Sequence, residues 1–307
     1  MHDHLRFGLP GRYATARASA VITLAVAVMA AGCGTAGHPQ PATPPGTTGP
    51  SPIAPRPTAT GSAQAHQPSP IAAQKGQVRA VRITGTQLAR LPSATTYGTT
   101  PAAPQDPAPF AAETGIVVHP STTRVVYARP GGPAVAVLPA TELGSPTWVP
   151  VVQSRPSWDL VLLPTRPNRS TGWIYLGGGG LRTAHTPYLV EINLAHFRLT
   201  IFDAGRSLGT WTVAQGAPGT PTPTGRTFVL ASLAPKPVTY SPLILPLGTH
   251  SDTLSTYGGG PGTVGLHGWP DPSVFGHAVS HGCVRVPATA LRALSQIPLG
   301  SPVMITG

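Results

Sequence analysis

The sequence predicts a mainly β protein. Proline (39 residues) and glycine (36) make up about a quarter of the 307 residues, which is about twice their usual share. Charged residues make up only 9% of the chain, and lysine occurs only as Lys75 and Lys236. Long surface helices and coiled coils therefore lack the residues that they need. The hydrophobic fraction of 40% still allows a folded core, so we expect short strands joined by turns.

The net charge of +11 does not indicate a nucleic-acid partner. Binding along a phosphate backbone requires clustered lysine and arginine side chains, whereas the arginines here stand singly, as at Arg124, Arg155 and Arg182. A diffuse positive charge is better suited to an anionic membrane surface or an anionic polymer. The composition therefore excludes nucleic acid as the expected partner.

Residues 1–33 have the organisation of a signal peptide. Arg6, Arg12 and Arg17 precede fourteen uncharged, mostly apolar residues, and this stretch is too short for a stable membrane span of about 20 residues. The sequence that ends at Cys33 resembles a bacterial lipoprotein box, in which the cysteine receives a lipid. We therefore expect export and a lipid anchor at Cys33 on the outer face of the membrane or in the cell wall. An ordinary cleaved signal peptide is the alternative.

Residues 34–110 are predicted to be a mostly disordered linker. Ten prolines fall within residues 34–75, which contain no acidic and no aromatic residue. Such a composition cannot bury a core and favours an extended, polyproline-type chain. At ~3.1 Å per residue the stretch would reach ~130 Å. The sequence thus predicts a tether between a membrane anchor and the folded part.

Residues 111–182 are predicted to form a small β domain. Short apolar runs such as GIVVHP, AVAVLP, WDLVLLP and GWIYL recur between turn signals. Strands of about five residues at this spacing are typical of a small barrel or sandwich. The order of the runs resembles a bacterial SH3-like domain.

Residues 186–307 are predicted to form a β-rich domain with one short helix. Leu189–Phe202 alternates in a way that predicts a hairpin with one buried face. Further apolar stretches predict strands at 211–213, 227–230, 262–267 and 284–286, and a last strand near the C-terminus. Pro287 is expected to open the helix, because proline is favoured at the first helical position.

Cys283 is the residue around which the chemistry is predicted. Lipidation would consume Cys33, so Cys283 remains as the single thiol of an exported chain. Attack on an amide carbonyl requires a thiolate, which a neighbouring imidazole generates. His281 lies two residues before Cys283 and is poorly placed to reach the sulfur, whereas His267 could come from a facing strand. His250 and His277 are expected to be exposed loop residues.

Two neighbours of Cys283 have predicted supporting roles. Gly282 would let a substrate approach the sulfur, and its N–H group, with that of Cys283, could donate to an oxyanion. Arg285 alternates with Cys283 along the chain, so both side chains should fall on one face of a strand. Arg285 could then hold a substrate carboxylate.

The segments H-G and S-H-G-C-V-R, preceded by T-P-T-G-R-T-F at 222–228, resemble the L,D-transpeptidase (YkuD-type) catalytic domain over about residues 187–306. The resemblance implies transfer of a peptidoglycan stem peptide through a cysteine acyl-enzyme, without a cofactor or metal. It implies Cys283 as the nucleophile and His267 as the general base. The supporting positions are Ser280, His281, Gly282 and Arg285. Many members carry an aromatic-rich lid before H-G, whereas this chain has SPLILPLGTHSDTLSTYGGGPGTVGL.

Other functions remain open at this stage. A zinc site built from the histidines and Cys283 is disfavoured because no CxxC or HExxH pairing is present. A papain-like endopeptidase would need its catalytic cysteine before its histidine in the chain. Here His267 precedes Cys283, which argues against this class of enzyme. An L,D-carboxypeptidase that trims stem peptides and a non-catalytic lipoprotein that binds the cell wall are the two remaining alternatives.

Overall fold

The computed structural model describes residues 78–307, and these residues contain two successive groups of strands. A short helix, α1 (Gly85–Leu88), precedes them. The first group comprises β1 (Ile116–Pro120), β2 (Arg124–Tyr127), β3 (Ala134–Leu138), β4 (Thr141–Glu142), β5 (Ser145–Pro146), β6 (Val149–Arg155), β7 (Trp158–Leu162), β8 (Thr171–Tyr175) and β9 (Leu181–His185). Seven of these strands form one sheet in the order β3-β2-β8-β7-β6-β1-β9, and β4 pairs with β5.

The sequence predicts six strands of this sheet but misses the seventh, β9. The six carry apolar runs that the fold buries, whereas four of the five β9 side chains are exposed. Strand β9 pairs antiparallel with β1 at the edge of the sheet, so its place is set by backbone hydrogen bonds and not by an apolar pattern. The strand also crosses the predicted domain boundary at residue 182. The SH3-like character of this region stays a prediction.

The second group of elements builds the C-terminal part. It comprises β10 (Tyr188–Asn193), β11 (Arg198–Asp203), β12 (Arg206–Thr212), β13 (Gln215–Gly216), β14 (Gly225–Phe228), β15 (Ile244–His250), β16 (Thr263–Gly268), a 3-10 turn (Pro272–Val274), β17 (Ala278–Ser280), β18 (Val284–Val286), α2 (Ala288–Leu294) and β19 (Pro302–Thr306). The strands form sheets in the orders β12-β11-β10-β19-β14, β15-β16-β18 and β13-β17. The predicted mainly β fold with one short C-terminal helix is confirmed.

The predicted hairpin is formed by β10 and β11. Val190 lies opposite Ile201, and Ile192 lies opposite Leu199. All four side chains are buried, as the alternating pattern predicts. Strand β19 then pairs in parallel with β10, so the last strand of the chain lies inside this sheet and fixes its register.

Helix α2 covers one side of the C-terminal core. Ala290, Leu291 and Leu294 are buried, because residues three and four apart share one face of a helix. Pro287 is the N-cap of this helix and not its first helical residue. The predicted helix therefore exists but begins one residue later than the sequence indicates.

Part of the predicted linker is folded. Within residues 78–110, Ala94 is fully buried, and Asp106 accepts two hydrogen bonds from Arg226, from Nε at 2.6 Å and from Nη2 at 2.7 Å. The prediction of a disordered linker is therefore wrong for this stretch, because residues distant in the chain hold it, some as far away as Arg226 and His250. The remaining part of the predicted linker, the signal peptide and Cys33 lie outside the described residues.

The two groups of strands share core contacts. Phe228 and Leu230 belong to the C-terminal part but pack in the apolar cluster of the seven-stranded sheet, with residues such as Val161 and Ile174. Residues 78–307 accordingly belong to one compact unit. A helix of sufficient length and apolarity to cross a membrane does not occur among them.

Candidate active site

Strands β16 and β18 bring the predicted base and nucleophile together. They pair in parallel, with Leu266 opposite Val284 and His267 opposite Arg285. Cys283 directly precedes β18. His267 lies in one strand and Cys283 lies just before the neighbouring strand, although sixteen positions separate them in the chain.

A cavity of about 620 Å³ opens beside these strands. Five of the six residues predicted for the site line it: His267, Ser280, His281, Cys283 and Arg285. The sixth, Gly282, is buried and directly precedes Cys283 in the chain. The structure therefore gathers the predicted residues at a single site.

The hydrogen bonding of His267 fixes its tautomer. The ring is buried, and its Nδ1 atom lies 2.8 Å from the carbonyl oxygen of Gly268. A carbonyl oxygen only accepts hydrogen bonds, so Nδ1 carries the proton and Nε2 keeps its lone pair. Burial lowers the pKa of His267, the hydrogen bond to Gly268 acts in the opposite direction, and the positive charge of Arg285 lowers the pKa further. The neutral imidazole, which can accept a proton at Nε2, is thus the resting form.

The thiol of Cys283 is partly buried. Burial raises its pKa, while a backbone hydrogen bond from Gly265 and the positive charge of Arg285 act in the opposite direction. Because burial is the largest of these effects, the resting group is a protonated thiol. The site therefore holds a neutral thiol and a neutral imidazole in one cavity, an arrangement in which an imidazole can act as the base for an attacking thiol.

Aromatic side chains enclose the imidazole. Tyr240 meets His267 edge to face, with ring centroids 4.9 Å apart, and Trp269 lies 6.0 Å from His267. The guanidinium of Arg285 stacks over Trp269 at 3.6 Å. Sequence reasoning missed both aromatic residues. Trp269 directly follows the H-G pair and could have been found there, whereas Tyr240 has no local signal.

Ser280 organises the turn that presents Cys283. Its Oγ donates a hydrogen bond to the carbonyl oxygen of Cys283 at 2.6 Å and accepts one from the N–H group of Gly282 at 3.1 Å. Gly282 has a φ of +115°, a conformation that other residues rarely adopt. Because its N–H group is bound to Ser280, the prediction that Gly282 donates to an oxyanion is wrong. Its role is to permit the turn.

The T-P-T-G segment at 222–225 supports the same turn through hydrogen bonds to its backbone. Thr222 Oγ1 donates to the carbonyl oxygen of Gly282 at 2.9 Å and accepts a hydrogen bond from Gly216 N–H, also at 2.9 Å. Thr220 Oγ1 donates to the carbonyl oxygen of Ser280 at 2.8 Å. Thr222 of the sequence motif and Thr220, which lies just before the motif, therefore anchor the turn at residues 280–282.

Arg285 presents a positive charge to the cavity. Its side chain lines the cavity together with Cys283, and its Nε atom is buried without a hydrogen-bond partner among the described residues. An acidic partner for it is also absent among residues 78–307. This charge is therefore available to a bound anion.

The other histidines are spread over the structure. His250 was expected in an exposed loop, but it is fully buried at the end of β15, where its Nε2 atom contacts the carbonyl oxygen of Thr96 at 2.7 Å. Burial lowers the pKa of His250 to about 4. His277 is exposed, as expected, and His281 stacks on Tyr257 at 4.7 Å. Within residues 78–307, groups of three or more side chains suited to holding a metal ion do not occur.

Comparisons with known proteins show the family to which this chain belongs. Residues 187–305 match the family model of the L,D-transpeptidase catalytic domain, YkuD. The Bacillus licheniformis protein YkuD, whose name assigns it provisionally to the L,D-transpeptidases, is 31% identical over 151 residues, which cover 47% of this chain and 84% of that protein. The chain therefore belongs to the L,D-transpeptidase (YkuD) family.

Solved structures of L,D-transpeptidases are also similar. One from Mycobacterium smegmatis is 16% identical, covering 52% of this chain and 82% of its own, with a TM-score of 0.34. One from Mycobacterium tuberculosis H37Rv is 12% identical, and the match covers 64% of this chain and 98% of that one, with a TM-score of 0.35. The catalytic domain of the Enterococcus faecium enzyme is 20% identical, and the match covers 40% of this chain and 100% of that domain, with a TM-score of 0.31. At these scores the likeness is coarse, and the family assignment rests on the sequence matches.

Proposed function

We propose that this protein is a peptidoglycan L,D-transpeptidase that forms cross-links between stem peptides through an acyl-enzyme on Cys283. The observation that carries this proposal is the cavity shared by the Cys283 thiol and the His267 imidazole. The Nδ1 atom of His267 is bound to a backbone carbonyl, so Nε2 is the atom available for proton transfer. The membership in the L,D-transpeptidase family supports the same reaction.

The first half of the reaction forms a thioester. Nε2 of His267 takes the proton of the Cys283 thiol, and the sulfur attacks the carbonyl carbon of the donor stem peptide. The carbon–nitrogen bond then breaks, and the imidazolium returns its proton to the leaving amine. The donor acyl group remains on the sulfur.

The second half transfers that acyl group. An amine of a second stem peptide attacks the thioester carbonyl and gives its proton to Nε2 of His267. The carbon–sulfur bond breaks, and the proton returns to the thiolate of Cys283. The product is a new amide bond, and the enzyme is restored. If water takes the place of the amine, the same steps give an L,D-carboxypeptidase.

Arg285 is proposed to bind a carboxylate of the stem peptide. Its charge faces the cavity, and its Nε atom has no partner among the described residues. The guanidinium is held over Trp269, which lowers the entropy that it loses when an anion binds. A carboxylate at this place would direct the neighbouring carbonyl towards Cys283.

Mass spectrometry of stem-peptide products tests the proposal. Purified protein is incubated with disaccharide tetrapeptides, and the Cys283→Ala variant serves as the control. Cross-linked dimers that require Cys283 are the expected result. Shortened stems alone would indicate the carboxypeptidase, and unchanged stems would indicate a protein that only binds the cell wall.

We also propose that the chain is exported and anchored by a lipid on Cys33, with an SH3-like domain between the tether and the catalytic domain. The support is the basic and apolar organisation of residues 1–33. One lipid chain and a positive net charge together give durable attachment to a membrane. In detergent phase partitioning, the wild-type protein should enter the detergent phase and the Cys33→Ser variant should not. Equal partition of the two would contradict the anchor.

A further inference from the structure

Residues 251–262, called here the 251–262 loop, form one side of the active-site cavity. The loop connects β15 to β16, the strand that carries His267. Tyr257 and Gly258 of the loop line the cavity, and Tyr257 stacks on His281 with ring planes 28° apart. The position of this loop therefore sets the shape of the space beside Cys283.

The internal hydrogen bonds of the loop lie at its base and at its tip, and at the base Ser251 Oγ accepts from the N–H groups of Thr253 and Leu254. Its two ends are joined by a hydrogen bond from Ser251 N–H to the carbonyl oxygen of Gly262 at 2.8 Å, and its tip is closed by mutual backbone hydrogen bonds between Tyr257 and Gly260. Most side chains from residue 252 to residue 259 are exposed. Segments with few buried contacts open easily, so the loop depends on support from outside.

Arg166 supplies such support from the seven-stranded part of the chain. Its Nη1 atom donates to the carbonyl oxygen of Ser251 at 3.1 Å. Its Nη2 atom donates to the carbonyl oxygens of Leu254 at 2.9 Å and Pro261 at 3.0 Å. These three carbonyls belong to both arms of the loop, and the planar guanidinium is suited to bridging them.

Asn168 and Thr96 hold the base of the loop. The side chain of Asn168 donates to the carbonyl oxygen of His250 at 2.6 Å and accepts from its N–H group at 2.8 Å. The same Nδ2 atom lies 2.8 Å from Oδ1 of Asp252. Thr96 Oγ1 contacts His250 Nε2 at 3.0 Å and also Thr263 Oγ1. His250 and Thr263 are the residues that flank the loop.

We infer that Arg166 and Asn168, which lie outside the matched catalytic region, are positioning residues that hold the 251–262 loop and thereby shape the substrate side of the active site. The inference rests on the proposed function for its effect on turnover. The claim that these residues hold the loop does not depend on the proposed function, because the hydrogen bonds act on the loop whether or not a stem peptide is the substrate. Misplacement of a binding surface by about 1 Å can reduce turnover by about a hundredfold.

The first test measures the loop itself. Hydrogen exchange of wild type is compared with Arg166→Met and with the control Arg169→Met. Arg169 lies in the same connection and also donates to a backbone carbonyl of the C-terminal part, that of Thr224, but it does not contact the loop. Faster exchange across residues 251–262 in Arg166→Met alone is expected. Unchanged exchange, or equal changes in both variants, would overturn the inference.

The second test separates positioning from chemistry. In Arg166→Met and Asn168→Ala we expect KM for the stem peptide to rise about tenfold or more, while alkylation of Cys283 by iodoacetamide keeps its wild-type rate. Arg166→Lys should recover part of the loss, since one ammonium replaces only some of the contacts. Wild-type KM in both variants would overturn the inference. If wild type itself makes no product, the proposed function fails, while the exchange measurement still decides whether Arg166 holds the loop.

Discussion

The Nδ1–H group of His267 donates a hydrogen bond to the carbonyl oxygen of Gly268 at 2.8 Å. This contact orients the ring and leaves Nε2 as its basic atom. It plays the part that a carboxylate plays in other nucleophile–base pairs, but a neutral carbonyl stabilises an imidazolium less than an anion does. The resting imidazole is neutral nevertheless, because burial lowers the pKa of His267 by more than this hydrogen bond raises it.

The reactivity of Cys283 should rise with pH without a plateau in the acidic range. Burial raises the pKa of the thiol and lowers that of His267, so a thiolate–imidazolium pair does not form at rest. The alkylation rate with iodoacetamide, followed from about pH 5 to pH 10, should therefore increase through a midpoint above that of an ordinary cysteine. A flat, high rate below pH 7 would show a preformed ion pair and contradict this description.

Ser280→Ala should slow acylation and also lower the stability of the fold. The hydroxyl joins the N–H group of Gly282 to the carbonyl of Cys283, and its loss leaves buried partners unsatisfied, at a cost of about 1–3 kcal/mol. Stopped-flow acylation and thermal unfolding measure the two effects. Ser273→Ala, an exposed hydroxyl outside the cavity, is the control. Wild-type acylation in Ser280→Ala would show that the turn does not need this side chain.

Asp106→Ala should destabilise the whole described unit. Asp106 and Arg226 form a buried pair, and removal of one partner of such a pair costs about 3–5 kcal/mol. Chemical denaturation gives the loss of unfolding free energy. The double variant Asp106→Ala with Arg226→Met should lose less than the single one, because in the single variant the buried Arg226 keeps only its longer contact with Glu113, at 3.8 Å. A loss below about 1 kcal/mol in Asp106→Ala would mean that residues near 106 are not part of the fold.

Glu142→Gln should gain stability over wild type as the pH rises. Burial raises the pKa of Glu142 from 4.5 to about 7, which outweighs the hydrogen bond from Thr96 N–H. The folded chain therefore binds this proton more tightly than the unfolded chain. The stability that the proton contributes is complete below about pH 4.5 and is lost as the pH rises through about 7.

The difference in unfolding free energy between Glu142→Gln and wild type should thus grow by up to about 3 kcal/mol between pH 4.5 and 8.5, at 1.36 kcal/mol per pKa unit. Denaturation curves at both pH values measure it, and Glu191→Gln, at an exposed position, controls for the loss of a charge. A difference that does not change with pH would contradict the raised pKa.

The strands of the C-terminal part could be predicted because their signal is local. The alternation of Val190 and Ile192 with polar neighbours is sufficient to define a half-buried strand. The contacts of residues 78–110 could not be predicted in this way. Thr96 meets its partner His250 across 154 positions, and no window of sequence contains both residues.

The residues of the site also divide into those with a local sequence signal and those without one. That Cys283 and His267 lie at one cavity could be predicted, because each lies in a short, specific motif. Tyr240 and Arg166 could not, since their roles depend on where the fold brings them. The error at Gly282 has a similar origin, because the partner of its N–H group depends on the side-chain rotamer of Ser280.

Intact-mass measurement of an acyl adduct tests the central claim most directly. A β-lactam of the carbapenem type presents a strained amide carbonyl that a thiolate can attack, and it should add one acyl mass to the wild-type protein. Cys283→Ala should form no adduct, His267→Ala should acylate more slowly by about 10²–10⁴-fold, and His281→Ala should be less affected. An adduct that persists in Cys283→Ala, or acylation of His267→Ala at the wild-type rate, would contradict the proposed pair.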